Sequence, residues 1–233
     1  MTICIAAIGR HNGNEIIVAA TDHMVTMGSL GQFEHTISKY KELNNNLIAM
    51  LSGIPLFFDD LIQMPEKNLN YLEIKEQIKK NFKEKRKELF QDHVLDLYGL
   101  HWDDFTKAAK ENFANTLIEE IMQRNMKYKL RSSVLLAGFN DGKANISEIS
   151  EMTYANYRDM NFHAIGSGQI QAVNTLMFQK HDKNDSLQTT IYDVYKAKRN
   201  AEVAQGVGKE TELVILIHGE GCKKRLCQYL PVN

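Results

Sequence analysis

Hydrophobic and polar positions divide the chain into five alternating blocks of strands and helices. Residues 1–9, Met-Thr-Ile-Cys-Ile-Ala-Ala-Ile-Gly, predict a strand buried on both faces, because no polar side chain alternates with the apolar ones. Asn12-Gly13 then lies between two apolar runs, a strong hairpin signal. Residues 15–22 form the return strand, equally apolar and closed by Asp22. After a polar stretch to His35, residues 38–43 and 46–51 predict a second strand pair turned at Asn44-Asn45-Asn46. A short helix over 54–62 follows, with Pro55 tolerated in its first turn.

From 70 to 131 the period changes. Tyr71, Ile74, Ile78, Phe82 and Leu89 recur at helical spacing, with Lys and Glu on the opposite face. Beyond a break at Tyr98-Gly99, Asp103 or Asp104 caps a second long helix through Phe105, Ala109, Phe113, Leu117, Ile121 and Met122. The aromatic group Tyr98, Trp102 and Phe105 at the junction is expected at an interface between copies of the chain. Strands return at 133–139, 144–149 and 162–165, then helices at 169–178 and 186–204, and a final strand at 212–218 with a hairpin into 226–230. Strands, helices, strands, helices, strands is an order for two central sheets with helices outside both, and not for alternating βαβ units.

Composition narrows the class. A chain of 233 residues, 43% apolar and 24% charged, supports one large core without a linker, and is expected to be a single domain with an enlarged helical section at 70–131. A net charge of -1 argues against nucleic acid or an anionic membrane as partner. Cys4, Cys222 and Cys227 lack the CxxC spacing of a zinc knuckle, so no metal is expected; their odd, sparse number fits a reducing, cytoplasmic setting. The first apolar run is too short for a membrane span and has no basic flank. Gly166-Ser167-Gly168 lacks the third glycine of a dinucleotide loop, and Gly208-Lys209 is followed by Glu210 where a P-loop needs Ser or Thr, so no cofactor is expected.

Candidate chemistry lies at Thr2. Loss of Met1 would leave a threonine carrying both a hydroxyl and a free α-amine, a nucleophile and its base within one residue. Such an amine has an unperturbed pKa near ~8 and can take a proton at working pH. Read on their own, Thr2 also fits a simple strand start, Asp22 a turn carboxylate and Ser167 a tight turn.

Five fragments in order carry a resemblance. They are Thr2-Ile3, Ala20-Thr21-Asp22 with Val25-Thr26-Met27-Gly28, Lys39-Tyr40-Lys41-Glu42-Leu43, Val134-Leu135-Leu136-Ala137-Gly138, and Ala164-Ile165-Gly166-Ser167-Gly168. Together they resemble the proteasome β-subunit family of N-terminal-nucleophile hydrolases, with its bacterial HslV and Anbu branches, over about three quarters of the chain. The resemblance implies an α+β fold, a four-layer αββα sandwich of two antiparallel sheets flanked by helices. It implies a threonine peptidase that attacks through Thr2, with Lys39 as the nearby cation, Asp22 as its carboxylate partner and Ser167 ordering the amine. The oxyanion donor by this alignment is the backbone N–H of Met50. Lys41 rivals Lys39, since strand alternation puts both on one face. The family's late Asp and Ser have only Asn200 or Glu202 as approximate counterparts. A homo-oligomer, ring or helical, acting on peptides or unfolded protein is implied; an ATPase partner is left open. The alternatives are a catalytically silent scaffold or binding subunit of the same fold, or an amidase acting on a small molecule.

Overall fold

The computed structural model describes residues 2–26, 31–35, 37–65, 69–111, 116–127 and 129–227. The first apolar run becomes β1 (Ile3–His11), turned at Asn12-Gly13 into β2 (Asn14–Asp22). Two three-residue strands follow, β3 (Met24–Thr26) and β4 (Gln32–Glu34), where the sequence predicts only a polar loop. Next come β5 (Tyr40–Asn44) and β6 (Leu47–Ser52), and a 3-10 turn at Pro55–Phe57 leading into α1 (Phe58–Leu61). The helical section holds α2 (Tyr71–Phe90), α3 (Trp102–Glu111) and α4 (Thr116–Lys127). Then β7 (Ser133–Asn140), β8 (Lys143–Ser150), β9 (Tyr154–Asn156) and β10 (Phe162–Gly166) lead to α5 (Gln169–Phe178) and α6 (Leu187–Ala201). The final hairpin is β11 (Thr211–Ile217) and β12 (Gly221–Cys227); the predicted continuation to 230 lies outside the described residues.

The strands pair antiparallel into two five-stranded sheets, ordered β10-β1-β2-β11-β12 and β5-β6-β7-β8-β9, with β3-β4 apart. Alternation along β1 explains why its run is wholly apolar. Cys4, Ala6 and Ile8 point into the core between the sheets, while Ile3, Ile5 and Ala7 point into a second core beneath α5 and α6. A strand in that position has no wet face, so a polar residue on either side would be buried without a partner. On the far side, Leu47, Ala49 and Leu51 of β6 meet the α2 stripe Tyr71, Ile74, Ile78, Phe82 and Leu89. The molecule is thus a mixed α+β protein layered helices, sheet, sheet, helices.

α2 starts where its caps dictate. Asn70 Oδ1 accepts from the backbone N–H groups of Leu72 and Glu73, and the Glu73 carboxylate accepts from the Asn70 N–H. The second long helix is described as two parts, α3 and α4, with residues 112–115 and the predicted Phe113 outside the described residues; it starts at Trp102, so Asp103 and Asp104 lie in the first turn. There their charges face the positive end of the helix dipole. Phe90, Val94, Leu95, Phe105, Ile118 and Ile121 make a separate small core for this section. Trp102, from the aromatic group expected at an interface, packs against Phe90 and Phe105 at ring separations of 6.1 and 6.2 Å within the chain. No described helix is long and apolar enough to cross a membrane.

Candidate active site at the start of the first strand

The Asn12-Gly13 turn fixes the β1–β2 register, pairing His11 with Asn14 and Cys4 with Thr21. Followed to its end, that register sets Asp22 opposite the start of β1. Its Oδ1 accepts from Thr2 Oγ1 at 2.5 Å, from the Ile3 N–H at 3.0 Å and from Lys39 Nζ at 2.8 Å. Its Oδ2 accepts from the Gly208 N–H at 2.8 Å and the Met24 N–H at 3.2 Å. Asp22 is fully buried, and a buried carboxylate is tolerable only when cations and donors surround it, as five do here.

Lys39 comes from the segment leading into β5, on the other sheet. Its Nζ donates to Thr2 Oγ1 at 2.5 Å and to Asp22 at 2.8 Å. The Thr2 hydroxyl therefore accepts from a cation and donates to a carboxylate, an arrangement that draws the proton off Oγ1. Lys39 and Lys41 differ in position. Lys41 pairs with Asp59 at the exposed rim of the same cavity and has no contact with Thr2.

Ser167 follows β10, where Ile3 pairs with Gly166. Its hydroxyl lies 3.3 Å from both the Thr2 backbone nitrogen, from which it accepts, and the Thr2 carbonyl, to which it donates. Gly166 makes this approach possible. With φ of 108°, it brings its Cα so near β1 that a Cβ would sit 2.2 Å from the Thr2 carbonyl oxygen.

Met50 needs correction. It lies mid-strand in β6, paired with Tyr40 on one side and Leu135 on the other, and its side chain fills the core between the sheets. A peptide within a doubly paired ladder has no N–H to spare for an oxyanion. Gly53, just past the end of β6, lines the cavity instead. Its φ of 130° turns the chain there.

That cavity measures about 250 Å³ and has Thr2 and Lys39 in its wall. Met24, Val25, Ile37, Leu51, Pro55 and Leu56 give it a mainly apolar lining. Cys4 lies just behind, its Sγ 3.4 Å from the Leu51 carbonyl; burial holds its thiol well above the ordinary range, so it stays protonated. Asn200 donates to Thr175 on α5, and Glu202 pairs with Lys198 and Arg199, so neither touches Thr2. Gly208, which the sequence offers only as part of a failed phosphate loop, is the contact that sequence reasoning misses. The glycine itself was the one available signal.

Among the described residues, His181, Asp185 and Asp193 are close enough together to hold a cation. Their polar atoms are already engaged: Nε2 of His181 donates to the Ile8 carbonyl, Nδ1 faces Asp193 at 3.1 Å, and Asp185 accepts from the Asp182 N–H. They take no part in the Thr2 cavity. Scanned against models of protein families, the chain matches none, and no curated protein matches its sequence.

Proposed function

We propose that the protein is a threonine-type amide hydrolase with the N-terminal-nucleophile fold, resembling proteasome β-subunits and acting on peptides within a self-assembled oligomer. The observation that carries this reading is the Thr2 hydroxyl, bonded at once to Lys39 and Asp22 in the wall of an apolar-lined cavity. A strand start with no chemical role has no use for a largely buried ammonium at that point, since taking one out of water costs several kcal/mol before its partners repay it.

Met1 lies outside the described residues; its removal turns the Thr2 nitrogen into the α-amine that Ser167 already contacts. In the reaction, Oγ1 attacks the substrate carbonyl and its proton passes to the amine. Lys39 stabilises the negative charge developing on Oγ1, and its like charge keeps the amine unprotonated beforehand. The bare backbone at Gly53 faces the oxyanion. The amine then protonates the leaving nitrogen, and an ester on Thr2 is released by water that the same amine activates. An apolar side chain beside the scissile carbonyl suits the lining of the cavity.

Self-assembly draws support from the outer face of the α5–α6 layer, where Ile170, Met177, Phe178 and Tyr192 are exposed. Light scattering at micromolar concentration checks it: a monomer removes the oligomer from the proposal.

The test of the chemistry compares an uncleaved N-terminal tag with protein processed to expose Thr2, on one peptide substrate. The processed form should be active, Thr2→Ser should retain part of that activity, and Thr2→Ala and the tagged form should have none. A threonine-directed electrophile should label Thr2 alone. Equal rates for tagged and processed protein would remove Thr2 from the mechanism.

A further inference from the structure

Lys198 is the one fully buried lysine among the described residues, and no step of the proposed reaction uses it. It projects from the last turn of α6. Its ammonium donates to the Glu202 carboxylate at 2.7 Å, to the Gly208 carbonyl at 2.8 Å and to the Lys209 carbonyl at 2.7 Å. All three N–H donors of the ammonium are therefore used, two of them on one stretch of backbone. That stretch carries the Gly208 N–H, which meets Asp22 Oδ2 at 2.8 Å. On its other side, Glu34 accepts from the Lys209 and Glu210 N–H groups. Burial makes a charged lysine costly and holds its pKa below the ordinary value, with Glu202 opposing that shift and Asp22 adding to the opposition.

We propose that Lys198 is a positioning residue for the Thr2 centre, holding the 206–209 loop in the placement that delivers the Gly208 N–H to Asp22. Lys39 clamps one oxygen of Asp22 and the Lys198-held loop clamps the other, so the carboxylate that orients Thr2 and Lys39 cannot rotate. A lysine serves this better than an apolar side chain, because the Gly208 carbonyl it binds would otherwise be buried without a donor. The inference rests on the reading of Thr2 as nucleophile, and its test separates the two.

The experiment uses full-length processed Lys198→Met and Lys198→Arg proteins, each checked for folding by thermal melt. With a peptide substrate, kcat of Lys198→Met should fall on the order of 10- to 100-fold, the effect of loosening one hydrogen bond to a charged group. KM should stay within about twofold, because Lys198 does not line the cavity, as uniform binding is untouched. Lys198→Arg keeps the charge and donors and should recover part of kcat. If Lys198→Met does not fold, Gly208→Ala decides, since its Cβ would press on the Cβ and backbone nitrogen of Met24 at 3.1 Å, crowding the loop beside Asp22 with Lys198 intact. Unchanged kcat in a folded Lys198→Met, or in Gly208→Ala, overturns the proposal. A second readout needs no turnover: the Gly208 amide should be shifted downfield and protected from exchange, and lose both in Lys198→Met. A Gly208 amide indifferent to Lys198 sinks the positioning role. If the amide responds but wild-type protein hydrolyses nothing, the Thr2 reading fails and the loop contact stands.

Discussion

Asp22→Asn is the sharpest probe of the site, because the structure fixes what an amide can and cannot replace. The carboxylate accepts five hydrogen bonds, three on Oδ1 and two on Oδ2. Asparagine has one oxygen and one NH2 group. With its oxygen turned to Thr2, Ile3 and Lys39, the NH2 confronts the Met24 and Gly208 N–H groups, donor against donor. Two orphaned buried donors cost about 1–3 kcal/mol each. Lys39, whose side chain is 11% exposed, also loses its counter-charge, and removing one partner of a buried pair typically costs about 3–5 kcal/mol. These terms describe one rearrangement and overlap, so the expected loss is about 3–5 kcal/mol, not their sum. For a chain of this size that is a fall in Tm of roughly 6–20 °C. The assay is urea unfolding of Asp22→Asn beside Asp59→Asn, which breaks only the Lys41 pair at the cavity rim. Asp59 is 81% exposed, and a pair of that kind is worth about 0–1 kcal/mol. Were Asp22→Asn to unfold within about 1 kcal/mol of wild type, Asp22 would be an ordinary turn carboxylate. The coupling of Lys39 to Thr2 would then have no anchor.

Three further outcomes follow from the geometry. Lys39→Ala should abolish hydrolysis and labelling of Thr2, while Lys41→Ala keeps the chemical step; the reverse pattern would put the reacting cation at the rim. Gly166→Ala should destabilise by at least about 2 kcal/mol, given its positive φ and the clash with the Thr2 carbonyl, and a melt within a degree of wild type would contradict that close approach. Glu15 is partly buried, which opposes its ionisation, but the Arg158 guanidinium bonded to both its oxygens, with the Ala144 N–H, wins and holds its pKa below the ordinary value of 4.5. A folded value below the unfolded one gives stability that is present above pH 4.5 and lost as pH falls through the folded value. Arg158→Met should therefore cost roughly 1.5–3 kcal/mol near neutrality, and the gap should close on acidification; a constant gap down to about pH 3 would refute it.

The sequence by itself determined whatever depends on neighbours along the chain. Unbroken apolar runs made β1 and β2 doubly buried strands, and the Asn12-Gly13 turn between them fixed a register that carries Asp22 to Thr2. The 3–4 spacing of Tyr71, Ile74, Ile78, Phe82 and Leu89 settled which face of α2 meets the second sheet, because one face of a helix repeats at that interval. The polar segment behind β2 gave no such period, and the short β3–β4 pair in it was invisible.

Only the tertiary structure decided what required the two sheets to be laid against each other. Lys39 and Lys41 share a face and a cavity, and the choice between them depends on how far β5 slides along β1. Met50 and Gly53 are three residues apart, yet one is locked in a ladder and the other opens onto the cavity. That difference is the end of strand pairing, which no propensity at Met50 could mark. The Lys198–Gly208–Asp22 connection joins α6, the loop before β11 and the end of β2. A buried lysine reads in sequence as any solvated one, until the backbone carbonyls that justify its burial have been brought around it by the fold.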